Sequence, residues 1–266
     1  MDTITRALQR AKENTPVRDL GGSLVRPFAF RRGGKLRPAN HPRAANPANQ
    51  DVIKLDEQLL DRNRVIAFEP NAGPTRCYDI LRNQIAQHQH KSGRHIVAVC
   101  GPTRGCGATT MAINLALSFG RIRAQRVILL DANGQNPAVR HCLGLPEQEL
   151  REPSETFPTE PPTSVQVRDV SLEVMTFANA GQDGRDALPD IPRSGFEDEA
   201  TVLVIDLPPL LVSDNGMSYL HLADSFVVVL AEGLTTLADV EFCKRFFIGR
   251  RDGVQFVLNK GGRHGL

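Results

Sequence analysis

Residues 95–120 read HIVAVC, then GPTRGCGATT, then MAINLALSFG, and the join between those three pieces decides the fold. His95 to Cys100 is a continuous run of apolar and β-branched residues, the pattern of a strand buried on both faces of a parallel sheet. Thr110 to Phe119 has helical composition, and a loop with glycines at 101, 105 and 107 lies between. Such a loop lets backbone N–H groups converge on an anion without Cβ clashes, at the positive end of the following helix. Gly105, Gly107, Thr109 and Thr110 meet that need, with Cys106 between the two glycines. The Walker pattern G-x-x-x-x-G-K-[ST] puts lysine where this chain has Ala108. The cradle is there without its usual cation, and Arg104 in the same loop is a candidate substitute. Taken alone, a glycine turn between strand and helix is also an ordinary connection.

Working outward, RVILL (126–130), TVLVI (201–205), SFVVVL (225–230) and VQFVL (254–258) are further buried-strand runs. SLEVMT (171–176) is one more possible strand, and Leu237 to Phe247 supplies a crossover helix. The expected architecture is α/β: a doubly wound, mainly parallel sheet. Two of the strands run into acids, Asp131 and Asp206. Carboxylates at the carboxyl ends of parallel strands converge where ligands bind in such sheets, and there they can position Mg²⁺ or orient a nucleophile. Each could equally cap the turn that follows it.

The chain has 266 residues, 41% apolar and 23% charged, with no Trp and two Tyr, which fits one large domain with appendages and excludes disorder throughout. The net charge of +2 hides an asymmetry, since residues 1–50 carry +7 and the rest −5. Residues 1–13 are expected to hold a short helix and 14–50 a basic, disordered linker. The domain proper is placed at 51–266, interrupted by a Pro/Glu-rich insertion at about 147–163. The basic segment reads as a solvated linker, or as a tether to an anionic membrane or a partner protein; nucleic acid is the least favoured. No apolar run reaches the roughly 18 residues of a spanning helix and no secretory signal is visible, so a cytoplasmic protein is expected. Five scattered cysteines with no C-x-x-C pair read as reduced thiols. His88, His90 and His95 do not make a metal site, because the first two diverge on a helix and no cysteine or acid completes the set.

The three segments, in this order and wording, resemble the bacterial tyrosine autokinases of capsule and exopolysaccharide synthesis, P-loop kinases related to the partitioning ATPases. The likeness spans about residues 75–260. It rests on Gly105 to Thr110 with Asn114-Leu115-Ala116, Val127 to Ala132 with Pro137, Asp206-Leu207-Pro208-Pro209 with Ser213-Asp214, and Val257 to Lys260. The resemblance implies a partitioning-ATPase-like P-loop fold binding ATP or ADP with Mg²⁺. In it the 104–110 loop holds phosphates, Thr109 ligates Mg²⁺, Asp131 assists deprotonation and metal positioning, Asp206 is the Walker B acid and Asn259 lies near the adenine. It also implies work beside an inner-membrane polysaccharide chain-length or export protein, with peripheral membrane location.

Three departures modify that expectation. Ala108 removes the lysine that neutralises the β- and γ-phosphates, at a cost of one or two charge-assisted hydrogen bonds worth roughly 1.5–3 kcal/mol each. The family's C-terminal tyrosine cluster is replaced by GGRHGL, and the only tyrosines are Tyr78 and Tyr219. The family's E-x-x-R-x-x-R helix, used for subunit packing, here carries Arg76, Asp79 and Arg82, with the first two charges exchanged. The expectation is therefore an ATP-binding regulator with weak or absent kinase activity. The alternatives are an active partitioning-type ATPase switch and a nucleotide-independent scaffold.

Overall fold

The computed structural model describes residues 52–70, 73–87, 95–122, 125–133, 137–146, 162–176, 201–212, 220, 222–248 and 253–261. The expected helix at 1–13, the linker at 14–50, nearly all of the insertion at 147–163, and His88, His90, Asp214 and Tyr219 lie outside them.

The described strands are β1 (Ile53–Lys54), β2 (His95–Cys100), β3 (Arg126–Asp131), β4 (Thr163–Val167), β5 (Val170–Thr176), β6 (Thr201–Asp206), β7 (Ser225–Ala231) and β8 (Val254–Asn259). They form a single sheet in the order β1-β4-β5-β3-β6-β2-β7-β8. Every neighbouring pair is parallel except β4 with β5, which form an antiparallel hairpin. The doubly wound, mainly parallel sheet expected from the sequence is present. β2, β3 and β6 are buried almost end to end, which is why their sequences are continuous apolar runs and not alternating ones.

Alternate residues of the strands feed two core layers. Val97, Val99, Leu129, Val204 and Val229 face one layer; Ala98, Ile128, Leu130, Ile205 and Val228 face the other. The helices are α1 (Glu57–Arg62), α2 (Arg76–Gln87), α3 (Ala108–Gly120), α4 (Val139–Leu143) and α5 (Leu237–Phe246). Helix α3 follows the glycine loop and is buried from Met111 through Phe119, because it lies between the sheet and α2. Helix α5 covers the second layer through Cys243 and starts with a capping box in which Thr236 and Asp239 satisfy each other's backbone N–H.

One buried polar residue ties the segment before the sheet onto α3. Asn114 accepts from the N–H groups of Ile66 (2.8 Å) and Ala67 (2.9 Å), and donates to the carbonyls of Arg64 (2.9 Å) and Thr110 (2.8 Å).

The structure adds elements that the sequence did not announce. β1, α1 and β4 are new, and β4 begins at Thr163, the last residue of the expected insertion. β4 and β5 are joined by Arg168 and Asp169, with Arg168 at φ 49°. The Arg168 guanidinium donates to Glu57 (2.6 and 3.0 Å) and Glu69 (3.2 Å) and lies 5.2 Å from the centre of the Phe68 ring. These groups are exposed, so the cluster fixes the hairpin's position more than it adds stability.

Candidate functional site

β2 ends in the middle of the sheet and the chain turns through 101–107 into α3. Gly105 and Gly107 have φ of 81° and 92°, values that L side chains rarely adopt. Gly107 precedes the first turn of α3, and no side chain caps that turn. The unpaired N–H groups of a 13-residue helix are thus left at a cavity of about 330 Å³, lined by loop residues from Thr103 to Thr110 together with Asn133 and Lys260.

The neighbouring strands strap this loop in place. Asn259, the last residue of β8, donates through Nδ2 to the Cys106 carbonyl (2.9 Å), and its Oδ1 accepts from the Lys260 N–H (2.8 Å). A Cβ on Gly107 would overlap Asn259 Nδ2. Cys106 is buried, with its Sγ 3.5 Å from Thr103 Oγ1 and 3.7 Å from Thr235 Oγ1. Asn259, which the resemblance places near an adenine, is engaged at both ends of its amide with the phosphate loop and its own neighbour.

Asp131 and Asp206 lie directly opposite each other at the ends of β3 and β6, both buried. Their surroundings differ. Asp131 accepts from three backbone N–H groups: Asn133 (3.0 Å) on Oδ1, and Ala138 (2.9 Å) and Val139 (3.0 Å) on Oδ2. It closes the loop after β3 and holds the start of α4. Both Asp206 oxygens are buried without a hydrogen-bond partner of ordinary geometry. Burial, and then the charge of Asp131, push the Asp206 carboxyl well above the usual carboxylate range, with the Thr109 hydroxyl opposing in part. Burial also raises Asp131, but its three N–H donors favour the ionised form. Of the two, Asp206 is thus the carboxyl that more readily holds a proton.

That proton has a measurable consequence. A folded-state pKa raised above the unfolded value means the native state binds more protons, so stability is full below about pH 4 and falls as pH rises toward the folded pKa. Asp206→Asn removes this dependence. Urea denaturation between pH 4 and 8, without nucleotide or Mg²⁺, is expected to show a flatter pH profile for Asp206→Asn than for the wild type; identical slopes would contradict the assignment.

The remaining sequence candidates divide clearly. Arg104, Gly105, Cys106, Gly107, Ala108, Thr109 and Thr110 all line the cavity, with Ala108 as the first residue of α3. On α2, Asp79 accepts from the Ser118 hydroxyl (2.6 Å), from Arg82 (3.3 Å) and from Arg121, while Arg82 donates to the Ser118 carbonyl (2.8 Å). Asp79, one of the two exchanged charges, and Arg82 thus join α2 to α3 inside the chain; Arg76, the other exchanged charge, is exposed. Tyr78 is partly buried, and desolvation pushes its phenol up to about 12. His95 is buried and bonded to Ser225 Oγ (2.9 Å). Among the described residues no group of three or more His, Cys, Asp or Glu side chains could hold a metal, and no helix is long and apolar enough to cross a membrane. Sequence reasoning missed Lys260 as a site residue, although the resemblance brought its neighbour Asn259 to the nucleotide.

Comparison with known proteins places this geometry in context. No protein-family profile matches the chain. It is similar to the kinase domain of the Escherichia coli tyrosine kinase ETK, with a TM-score of 0.61 and 16% identity, covering 81% of this chain and 90% of that one. The BceF tyrosine kinase domain gives a TM-score of 0.56 and 17% identity, over 79% of this chain and 92% of that one. In sequence it is 27% identical over 174 residues to an iron-sulfur cluster carrier protein of Haemophilus influenzae, covering 62% of this chain and 45% of the relative. A protein of the same description from Deinococcus radiodurans is 30% identical over 152 residues, covering 55% of this chain and 42% of the relative. The chain thus spans less than half the length of these curated relatives. The fold is the one seen in these tyrosine kinase domains.

Proposed function

We propose that this chain is a tyrosine-kinase-like P-loop protein that binds ATP or ADP with Mg²⁺, transfers phosphoryl groups weakly or not at all, and regulates polysaccharide chain length or export in exopolysaccharide or capsule synthesis. The observation that carries nucleotide binding is the uncapped first turn of α3, which opens through two left-handed glycines onto a cavity with Arg104 and Lys260 in its wall. Backbone N–H groups and the helix dipole recognise phosphate there without a side chain at position 108.

The acids suit Mg²⁺. The ion takes oxygen ligands, and Asp206, whose buried oxygens have no other regular partner, would hold it with the Thr109 hydroxyl; Asp131 would shape the site from the adjacent strand. When bound, Mg²⁺ supplies neutralising charge on the phosphates. Asp206 would hold the ion in its carboxylate form, and Asp131 fixes the loop after β3. Ala108 withholds one charge-assisted contact to the phosphates, which lowers transition-state stabilisation at least as much as binding.

The polysaccharide role is supported by the resemblance to the tyrosine autokinases and by the shared fold. On the same basis the partner is an inner-membrane chain-length or export protein, with peripheral membrane association aided by the basic residues 1–50. Self-association through α2 is compatible with the exposed Arg76 and the half-exposed Ile80 on that helix. Cluster carriage, named for the curated relatives, is not adopted, because the five cysteines include no C-x-x-C pair.

The test compares Ala108→Lys with the wild type in calorimetric titrations with ATP and ADP and in phosphoryl transfer from labelled ATP. Ala108→Lys is expected to bind MgATP about tenfold more tightly, or better, by regaining a charged hydrogen bond. Wild-type transfer is expected near background. Unaltered affinity in the lysine variant would argue that the loop is no phosphate cradle, and vigorous wild-type hydrolysis would favour a partitioning-type ATPase switch.

A further inference from the structure

We propose that Lys260 supplies the phosphate-facing positive charge that position 108 lacks, reaching the cradle from the end of β8 and not from the loop's own helix. The proposal rests on the nucleotide reading of this site and adds the residue that makes a lysine-free loop usable.

Lys260 lines the same cavity as the loop from Gly105 to Thr110. Its backbone is fixed to that loop through Asn259, which accepts the Lys260 N–H with one end of its amide and donates to the Cys106 carbonyl with the other. A two-bond strap therefore couples the lysine to the loop it would serve. Lys260 also has φ 58°, a left-handed conformation uncommon outside glycine, asparagine and aspartate, and such outliers persist where the surroundings hold them. The residue is exposed and makes no ion pair among the described residues, whereas Lys244 is held by Glu241 at 2.6 Å. Its ammonium is thus a point charge with three donors and a flexible stem, suited to a di- or triphosphate. Arg104 is the other cation of the cavity, but it lies within the loop and no hydrogen bond anchors it among the described residues.

The experiment titrates ATP, ADP and adenosine, with Mg²⁺, into the full chain and into Lys260→Gln, Arg104→Gln and the double variant Ala108→Lys/Lys260→Gln. Lys260→Gln is expected to fold with an unchanged thermal midpoint and to lose about tenfold to a hundredfold in affinity for ATP and ADP, the value of one charged hydrogen bond. Adenosine binding should not change, Arg104→Gln should lose less, and the double variant should regain phosphate-dependent affinity because the cation returns to position 108. Wild-type affinity for ATP in Lys260→Gln, or an equal loss for adenosine, would overturn the role of Lys260 while leaving the nucleotide site in place. Absence of binding by the wild type would overturn the nucleotide reading itself and this proposal with it.

Discussion

Asn114→Ala is expected to lower stability by about 2–4 kcal/mol, a drop in thermal midpoint of about 5–15 °C for a domain of this size. Asn114 is fully buried, and its amide uses both lone pairs and both hydrogens at 2.8–2.9 Å. Alanine strips the partner from the N–H groups of Ile66 and Ala67 and from the Arg64 carbonyl, of which the Ala67 bond is buried and the other two half-buried. Unmade hydrogen bonds of buried groups cost more than made ones contribute. Arg64 itself has φ 59°, so the segment depends on being held from outside. Scanning calorimetry of the two proteins checks this; a loss below 1 kcal/mol would mean that the 64–67 segment is not anchored through α3.

Gly107→Ala is expected to weaken MgADP binding at least tenfold with a smaller effect on folding. A side chain at φ 92° costs roughly 1–2 kcal/mol locally. The added methyl would also meet Asn259 Nδ2, forcing that amide off the Cys106 carbonyl and moving the N–H groups at the start of α3. Gly233→Ala is the matched comparison, since Gly233 has φ 74° and no heavy atom within 4 Å of the new methyl. It carries similar strain without the collision, so its nucleotide affinity should stay near wild type. Equal losses in the two variants would show that backbone strain alone, and not the fit of Asn259 against the loop, governs the cradle.

The central sheet was legible because burial on both faces writes itself as uninterrupted apolar runs: β2, β3, β6 and β7 sit where VAV, VIL, VLV and VVV predict. VQFVL also marks a strand, but β8 is an edge of the sheet, with Phe256 and Leu258 exposed, and not the buried strand its apolar run suggests. The opposite edge was not legible. β1 is two residues long and exists through its pairing with β4, and β4 follows a Pro/Glu-rich stretch whose composition argues for a loop. Strand propensity in such places is set by the neighbour, which the local sequence does not record.

The site divides in the same way. Asp131 and Asp206 were visible as acids ending strands, but the sequence offered metal binding and turn capping as equal readings for each. The fold separates them, because α4 begins where Asp131 can reach its N–H groups, while no backbone donor reaches Asp206. The charge exchange at Arg76 and Asp79 acquires meaning only when Ser118 and Arg121 are brought alongside Asp79. Lys260 stood in the sequence only as the end of the Val257 to Lys260 segment and not as a site residue, because a search for the missing cation looks within the loop and this residue follows a strand about 150 positions later.

The most direct test is calorimetric titration of the full chain with MgADP, repeated with Mg²⁺ replaced by EDTA and with Gly107→Ala. Saturable one-to-one binding in the micromolar range, weakened without Mg²⁺ and in Gly107→Ala, is the result expected if the lysine-free loop is a working phosphate cradle. A folded wild-type chain that takes up neither MgADP nor MgATP would contradict that claim and leave a scaffold in its place.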